Sequence, residues 1–265
     1  MGARIHPTAI VAPGARLAED VEVGPYSVID DEVEIGAGTV IGPHVVIKRY
    51  TTIGARCRVF QFASLGEIPQ DLKFAGETSY LRLGDENVIR EFVTLNRGTA
   101  GGGGLTSLGN GNLVMAYAHL AHDCHLGNGV VMANGASLSG HVTVEDRAII
   151  GGLVGVHQFV RIGTHAFIGG ASAIGKDVPP YTLSAGHPQR LHGLNLVGLK
   201  RAGFSNDALR ALKDAYRIVV REGLLLGDAL KRVEAELPPL PEVKHFVEFI
   251  RASQRGIPRH DTEEA

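Results

Sequence analysis

Tryptophan is absent, and only two of the 265 residues are cysteine. Cys57 and Cys124 have no metal-type pairing between them, so a disulfide framework does not fit and a reducing cytoplasm is the expected setting. No apolar run approaches the ~20 residues of a membrane span, and the opening MGARIHPTAI lacks the long apolar core of a signal peptide. Basic charge is not in surplus: 26 Lys and Arg face 28 Asp and Glu, which argues against a nucleic-acid binder. What the chain has in excess is glycine, with 35 residues, about double the ordinary share of roughly 7%.

A six-residue period organises most of the chain. Stepping by six from Ile5 gives Val11, Leu17, Val23, Ile29, Ile35, Ile41, Ile47, Ile53, Val59 and Leu65. With half of all residues apolar, chance yields such a run well under about one time in a thousand. Glycine often follows, as at Gly24, Gly36, Gly42, Gly54 and Gly66, and such glycines suit tight corners that need φ > 0. The frame lapses at Asp71 and Glu77 and resumes at Leu83, Ile89 and Leu95. A second break, NRGTAGGGGLTS, shifts the phase by one residue, and the frame then runs from Leu108 to Ile174.

An α-helix cannot use this period, because six residues turn about 600° and carry the apolar side away. Ordinary sheets alternate with period two. A period of six fits a coil of short strands, each with one aliphatic inward, three strands making a triangular turn of 18 residues. Such coils stack at the strand spacing of ~4.8 Å. The period does not give the hand, although the usual crossover rule favours right-handed coils. The expected division is residues 1–187 as the parallel β-helix, with loops near 66–82 and 96–107, and 188–265 as a small α-helical domain. In the latter, Ser205 fits as N-cap of a helix over 206–222 and Gly223 as its stop. Further helices are expected over 193–202, 227–236 and 242–252. This domain would cap the last coil or offer Lys200 and Arg201 to an anionic substrate.

Polar chemistry gathers in MAYAHLAHDCHLG, which holds His119, His122, Asp123 and His125, with His141, His157 and Gln158 further on. These residues suit surface decoration, a metal site, or a histidine base with polar orienters. The 18-residue coil distinguishes among them. Residues 18 apart share a column, so His122 lies under Gly140 and Gly140 under Gln158, while Asp123 lies under His141. Gly140 leaves space beside His122, and its N–H can face an oxyanion if it stays out of the ladder. That arrangement fits a base beside an oxyanion donor better than imidazoles converging on one metal. Neighbouring side chains on a strand point opposite ways, so a direct His122–Asp123 pair needs a corner or a second subunit. The run Gly101–Gly104 reads as a flexible tip, and QDLK as either a surface excursion or a substrate loop.

The stretches QFASLGEIPQDLKFAGE, TLNRGT, AHLAHDCHLGN, SGHVTV, IIGGLVGVHQFVRIG, DVPPY and GLNLVGLKRAGFS cover both regions. In them the sequence resembles the UDP-N-acetylglucosamine O-acyltransferases that begin lipid A synthesis. The resemblance implies a left-handed parallel β-helix of hexapeptide repeats followed by a small α-helical C-terminal domain. It implies a cytoplasmic homotrimer with active sites between subunits, binding no metal and no organic cofactor. Its donor would be acyl carrier protein and its acceptor the 3-hydroxyl of UDP-N-acetylglucosamine. Among catalytic positions, His122 matches the family's base, Asp123 the acid that orients it, and Gly140 the oxyanion donor. Gln70, Asp71, Lys73, His119, His141 and Gln158 match sugar-nucleotide contacts, and Asn195 and Arg201 match contacts to nucleotide and phosphates. His157 matches a residue near the acyl chain, and Gly170 a position that limits its length, where glycine implies room for a longer chain. Val197 replaces an acidic group that some relatives place near the nucleotide. Rival readings are the related sugar N-acyltransferase, which usually carries a separate N-terminal domain, a zinc-dependent hydratase on the same coil, and a trimeric scaffold without activity.

Overall fold

A computed structural model describes residues 2–259. Twenty-six two- to four-residue strands, β1 (Arg4–Ile5) to β26 (Ala173–Ile174), follow the hexad frame one for one. Successive strands take three faces in turn, so every third strand shares a sheet; the sheets hold 11, 9 and 8 strands. Here they are faces A, B and C, beginning at Arg4–Ile5, Ile10–Val11 and Arg16–Leu17. The pairing is parallel with an 18-residue register, for example Arg4↔Glu22 and Ile5↔Val23. The coil is left-handed.

From Val23 onward each hexad buries two side chains, whereas in the first coil Ile5 is exposed and Val11 and Leu17 are half-buried. The in-frame aliphatic is one, with Ile29, Ile47, Leu65, Ile89 and Leu120 all at 0–1% exposure. The residue two places earlier is the other, and it is small: Val21, Ala63, Ala118, Cys124, Ala148. Burying each aliphatic contributes roughly 1.5–3 kcal/mol, and the stack supplies the contacts that no single coil can make alone. Some polar residues in the inner column bond corner backbone, as where Asn87 Nδ2 donates to the carbonyls of Gly84 and Gly109 at 2.8 Å each.

The frame glycines have a different cause from the expected one. Left-handed backbone falls three places after most of the aliphatics, and among the described residues eighteen with that conformation are not glycine, including Tyr26, Asp123 and His141. Of the glycines one place after the aliphatic, only Gly66 has positive φ. The others, Gly175 excepted, sit where neighbouring chain nearly touches: a Cβ on Gly36 would lie 2.6 Å from the Gly54 carbonyl carbon.

Both frame breaks leave from the same corner, between faces B and C. The first loop joins β11 (Ser64–Glu67) to β12 (Tyr80–Leu83), and the second joins β14 (Thr94–Asn96) to β15 (Leu105–Leu108). They lie in consecutive coils directly beneath the coil that carries His122.

Past Ile174, β27 (Thr182–Ala185) extends face A and pairs with the antiparallel β28 (Arg190–Leu194). The sequence did not announce this hairpin, and it takes the first residues of the helix expected over 193–202. That helix is α1 (Leu196–Arg201), followed by α2 (Asn206–Tyr216), a π turn (Arg217–Arg221), α3 (Leu226–Glu236) and α4 (Pro241–Arg251). Ser205 caps α2, accepting from the Ala208 N–H at 3.1 Å, and Gly223 at φ 71° ends the run. The helices bury a second core around Leu212, Tyr216, Val219, Phe246 and Phe249. They close the last coil: Ser253 Oγ donates to Asp177 Oδ2 at 2.7 Å, and the Arg161 guanidinium lies 4.3 Å from the Phe249 ring centre. Among the described residues, no helix is long and apolar enough to cross a membrane.

Candidate active site

His122 and Asp123 form the corner between strand His119–Leu120 on face B and strand His125–Leu126 on face C. Asp123 takes φ 58°. That twist turns adjacent side chains towards each other, as an extended strand would not, and the corner condition for a direct pair is met within one chain. His122 Nδ1 lies 2.8 Å from Asp123 Oδ2, the imidazole 14% exposed and the carboxylate 1%. A carboxylate so buried needs a full set of donors. The second loop supplies them: the Thr99 N–H donates to Oδ1 at 2.9 Å and the Thr99 hydroxyl to Oδ2 at 2.6 Å. The Asp123 N–H donates to Thr106 Oγ1 at 2.8 Å.

The Gly101–Gly104 run is therefore more than a flexible tip. A Cβ on Gly102 would lie 2.0 Å from the Asp123 carboxyl carbon, and one on Gly98 would lie 2.8 Å from its Oδ1. Thr99 and these glycines escaped sequence reasoning. The available signal was the phase shift, which marks a chain that leaves the coil and returns beside Asp123.

Directly above, Gly140 is open to the imidazole: a Cβ there would meet His122 Cε1 at 2.6 Å and Nε2 at 2.8 Å. The expected column thus holds, with the Cε1–Nε2 edge facing Gly140. Among the described residues the Gly140 N–H joins no backbone hydrogen bond. At the equivalent corner places of Asn110 and Asn128, the N–H donates to a side-chain oxygen one coil up, at 2.8 and 2.7 Å. The Gly140 N–H has no such acceptor, because Gln158 does not reach back to it.

His141, above Asp123, meets His122 edge-on with ring centres 5.1 Å apart and stacks on Phe159 at 4.5 Å. Burial pushes its imidazole pKa down, outweighing the upward pull of Asp123 and, more weakly, of Asp71. The Asp71 charge places the first loop near His141. Asp71 Oδ1 accepts the Lys73 N–H at 3.0 Å, Gln70 and Lys73 are exposed, and Leu72 stands fully in solvent. His119 faces outward on face B with Nδ1 2.7 Å from Thr94 Oγ1, and burial pushes its pKa down as well.

Other expected residues lie further away. His157 and Gln158 are exposed one coil above Gly140. Gly170 sits at the A-to-B corner, across face B and three coils above His119, a rise of roughly 14 Å at the ordinary strand spacing. Between lies a cleft of about 1270 Å³ lined by Ser139, Gly155, His157, Gly175 and the hairpin residues Arg190 and His192. It flanks the dyad without containing it. Asn195 is not brought to the dyad: it caps α1, accepting the Gly198 N–H at 3.1 Å and donating to the His165 carbonyl at 3.0 Å. Arg201 and Val197 are exposed on the same short helix.

Ligating atoms of His122, Asp123 and His141 all lie within 4.8 Å of one another, so a metal needs testing. Two ligands about 2.0–2.1 Å from a tetrahedral zinc sit ~3.3 Å apart. The 2.8 Å between Nδ1 and Oδ2 is a hydrogen-bond distance instead, and both carboxylate oxygens already accept from Thr99. The donor set fits an imidazole base oriented by a carboxylate better than a metal cage.

Known proteins resemble the chain over nearly its whole length. A sequence profile described as UDP N-acetylglucosamine O-acyltransferase, domain 2, matches residues 177–258, and the bacterial transferase hexapeptide profile matches 106–140. The chain is 53% identical over 257 residues to the acyl-[acyl-carrier-protein]–UDP-N-acetylglucosamine O-acyltransferase of Thiobacillus denitrificans, covering 97% of this chain and 100% of that one. The solved UDP-N-acetylglucosamine O-acyltransferase of Moraxella catarrhalis superposes with a TM-score of 0.93 at 44% identity, over 96% of this chain and 99% of that one. For the UDP-N-acetylglucosamine acyltransferase of Bacteroides fragilis the TM-score is 0.94 at 43% identity, with the same coverage.

Proposed function

The chain belongs to the acyl-[acyl-carrier-protein]–UDP-N-acetylglucosamine O-acyltransferases, and from that premise we propose that His122 is the general base of this reaction. An (R)-3-hydroxyacyl chain passes from the thioester of acyl carrier protein to the 3-hydroxyl of UDP-N-acetylglucosamine, the first step of lipid A biosynthesis. The observation that carries the reading is the His122–Asp123 pair with open space and a free N–H at Gly140.

Asp123 accepts from Nδ1–H and so leaves Nε2 as the basic nitrogen, aimed into that space. Nε2 takes the sugar hydroxyl's proton as the oxygen attacks the thioester carbonyl. The Gly140 N–H receives the resulting oxyanion. Collapse breaks the carbon–sulfur bond, and the imidazolium returns its proton to the leaving thiolate. Throughout, Asp123 holds the tautomer and stabilises the imidazolium without itself taking the proton. An imidazole suits both transfers because its ordinary pKa lies near neutrality.

Gln70, Asp71 and Lys73 on the first loop, with His119, His141 and Gln158, bind the sugar nucleotide in this reading, and Arg201 meets its phosphates as a guanidinium can. Asn195 holds α1 with one N–H and one lone pair of its amide, and the remaining pair is assigned to the nucleotide. His157 and Gly170 border the acyl chain along face B, with glycine leaving room for a long one. The enzyme works as a homotrimer in the cytoplasm. The trimer is supported by a stripe of exposed aromatics, Tyr26, Phe62, Phe92 and Tyr117, along one corner. The compartment is supported by two buried free thiols.

The test is acyl transfer from purified acyl carrier proteins of several chain lengths to the 3-hydroxyl acceptor and its 3-amino analogue. Turnover with the hydroxyl acceptor is expected, and transfer to the amine alone would overturn the reading. Lys73→Ala and Arg201→Ala should each raise KM for the sugar nucleotide with little change in kcat.

A further inference from the structure

The carboxylate that orients His122 is not positioned by its own strand. Asp123 sits on a tight corner, and three of the hydrogen-bond donors facing its side chain are the His122 Nδ1–H, the Thr99 N–H and the Thr99 hydroxyl. Two of the three come from one residue, in a loop inserted one coil below.

The Thr99 hydroxyl has little freedom. Its oxygen accepts the N–H of Gly102 at 3.2 Å, capping the short 3₁₀ turn Ala100–Gly102. With that lone pair engaged, its proton is directed to Asp123 Oδ2, the same oxygen that accepts from His122. Thr99 is 6% exposed, so water does not substitute freely. Gly98 and Gly102 lack a Cβ where one would strike the carboxylate, and the loop therefore closes on Asp123 at van der Waals distance.

We propose that Thr99 is a positioning residue for the acyl transfer: its hydroxyl and N–H lock the Asp123 carboxylate in the one rotamer that holds the His122 Nδ1–H tautomer, with Nε2 facing Gly140. The loop of the second frame break exists, on this reading, to build that cradle. The inference rests on His122 acting as general base with Asp123 behind it. Without the hydroxyl, the carboxylate keeps the backbone donor on Oδ1 but can swing Oδ2 off the imidazole. The loss then falls on the chemical step, because Thr99 is buried and its hydroxyl donates to Asp123.

The experiment is a double-mutant cycle on the intact enzyme. Thr99→Val keeps the side-chain shape and removes the hydroxyl. It is expected to lower kcat at least about 10-fold, the scale of disturbing a group that orients a reactive imidazole, with KM for both substrates unchanged within about 3-fold. Thr99→Ser restores most of kcat. In an Asp123→Asn background, which is itself slow, adding Thr99→Val costs nothing further, because Thr99 acts only through that carboxylate. A purely structural role would give losses that multiply and a lowered melting temperature that tracks activity. Should Thr99→Val fold poorly, Gly102→Ala applies the same test by pushing the carboxylate directly. Wild-type kcat in Thr99→Val beside a crippled Asp123→Asn overturns the proposal alone. Wild-type kcat in Asp123→Asn overturns the catalytic reading and the proposal together.

Discussion

Two corners of one prism use the same backbone turn for opposite ends. At the A-to-B corner the left-handed place is taken by Tyr26, His44, Phe62, Phe92 and Tyr117, whose rings stack 4.8–5.2 Å apart within 17° of parallel. Ring spacing matches strand spacing, so a flat side chain repeated every coil makes a continuous ladder, and no insertion interrupts it. At the B-to-C corner the left-handed place goes to Glu32 and Tyr50, then both loops intervene, and Asp123, His141 and Phe159 follow. The repeat is thus indifferent to chemistry. A site arises where the repeat is broken below and thinned above, the loops bringing donors to Asp123 and Gly140 removing a side chain over His122.

The difference between the corners can be broken in four ways. The largest effect belongs to His122→Ala, expected to lower kcat by at least ~10²-fold with an unchanged circular dichroism spectrum and melting curve. Near-normal turnover would reduce the B-to-C corner to decoration. Next is Gly140→Ala. Its methyl would lie 2.6 Å from His122 Cε1 and displace the ring from Asp123, costing about 10–10²-fold in kcat. Steady-state kinetics and a crystal structure of the variant would report it, and full activity with an unmoved imidazole would refute it.

On the other corner, Phe92→Ala removes two ring contacts from the ladder and should cost about 1–2 kcal/mol of stability. Kinetics should show kcat within about twofold of wild type, while urea unfolding shows the loss. A kcat effect larger than the stability effect would dissolve the distinction between the corners. The smallest effect tests where the helices dock. His245 Nε2 lies 3.0 Å from Glu145 Oε2, and that contact raises the imidazole's pKa. A raised folded-state value means the contribution is fully present below the ordinary pKa of about 6.5. It is lost as pH rises through the folded value. The melting-temperature advantage of wild type over His245→Gln should therefore be largest near pH 6 and shrink on the alkaline side. Both groups are partly exposed, so solvent screening keeps the stability contribution small.

Much of this was legible in the residues. The hexad frame placed all 26 coil strands, and its 18-residue ruler put Gly140 over His122 and His141 over Asp123. The helical tail was legible from Ser205 and Gly223 because capping is local chemistry. The frame glycines were misjudged, because a sequence shows that a side chain is missing but not whether φ or a neighbouring coil forbids it. The β27–β28 hairpin was missed since its strands are specified by face A rather than by their own pattern. Asn195 reads as a ligand in a motif, and the fold of one chain uses one N–H and one lone pair of its amide.

The sequence by itself determined the coil, its columns and the column that holds the dyad, because an inward side chain every sixth residue fits a three-sided coil and neither an α-helix nor an ordinary sheet. Only the tertiary structure decided that His122 and Asp123 touch and that Thr99 completes them. The first depends on a left-handed corner at Asp123, which turns neighbouring side chains together. The second depends on where a glycine-rich loop returns, and 24 residues separate Thr99 from the carboxylate it holds.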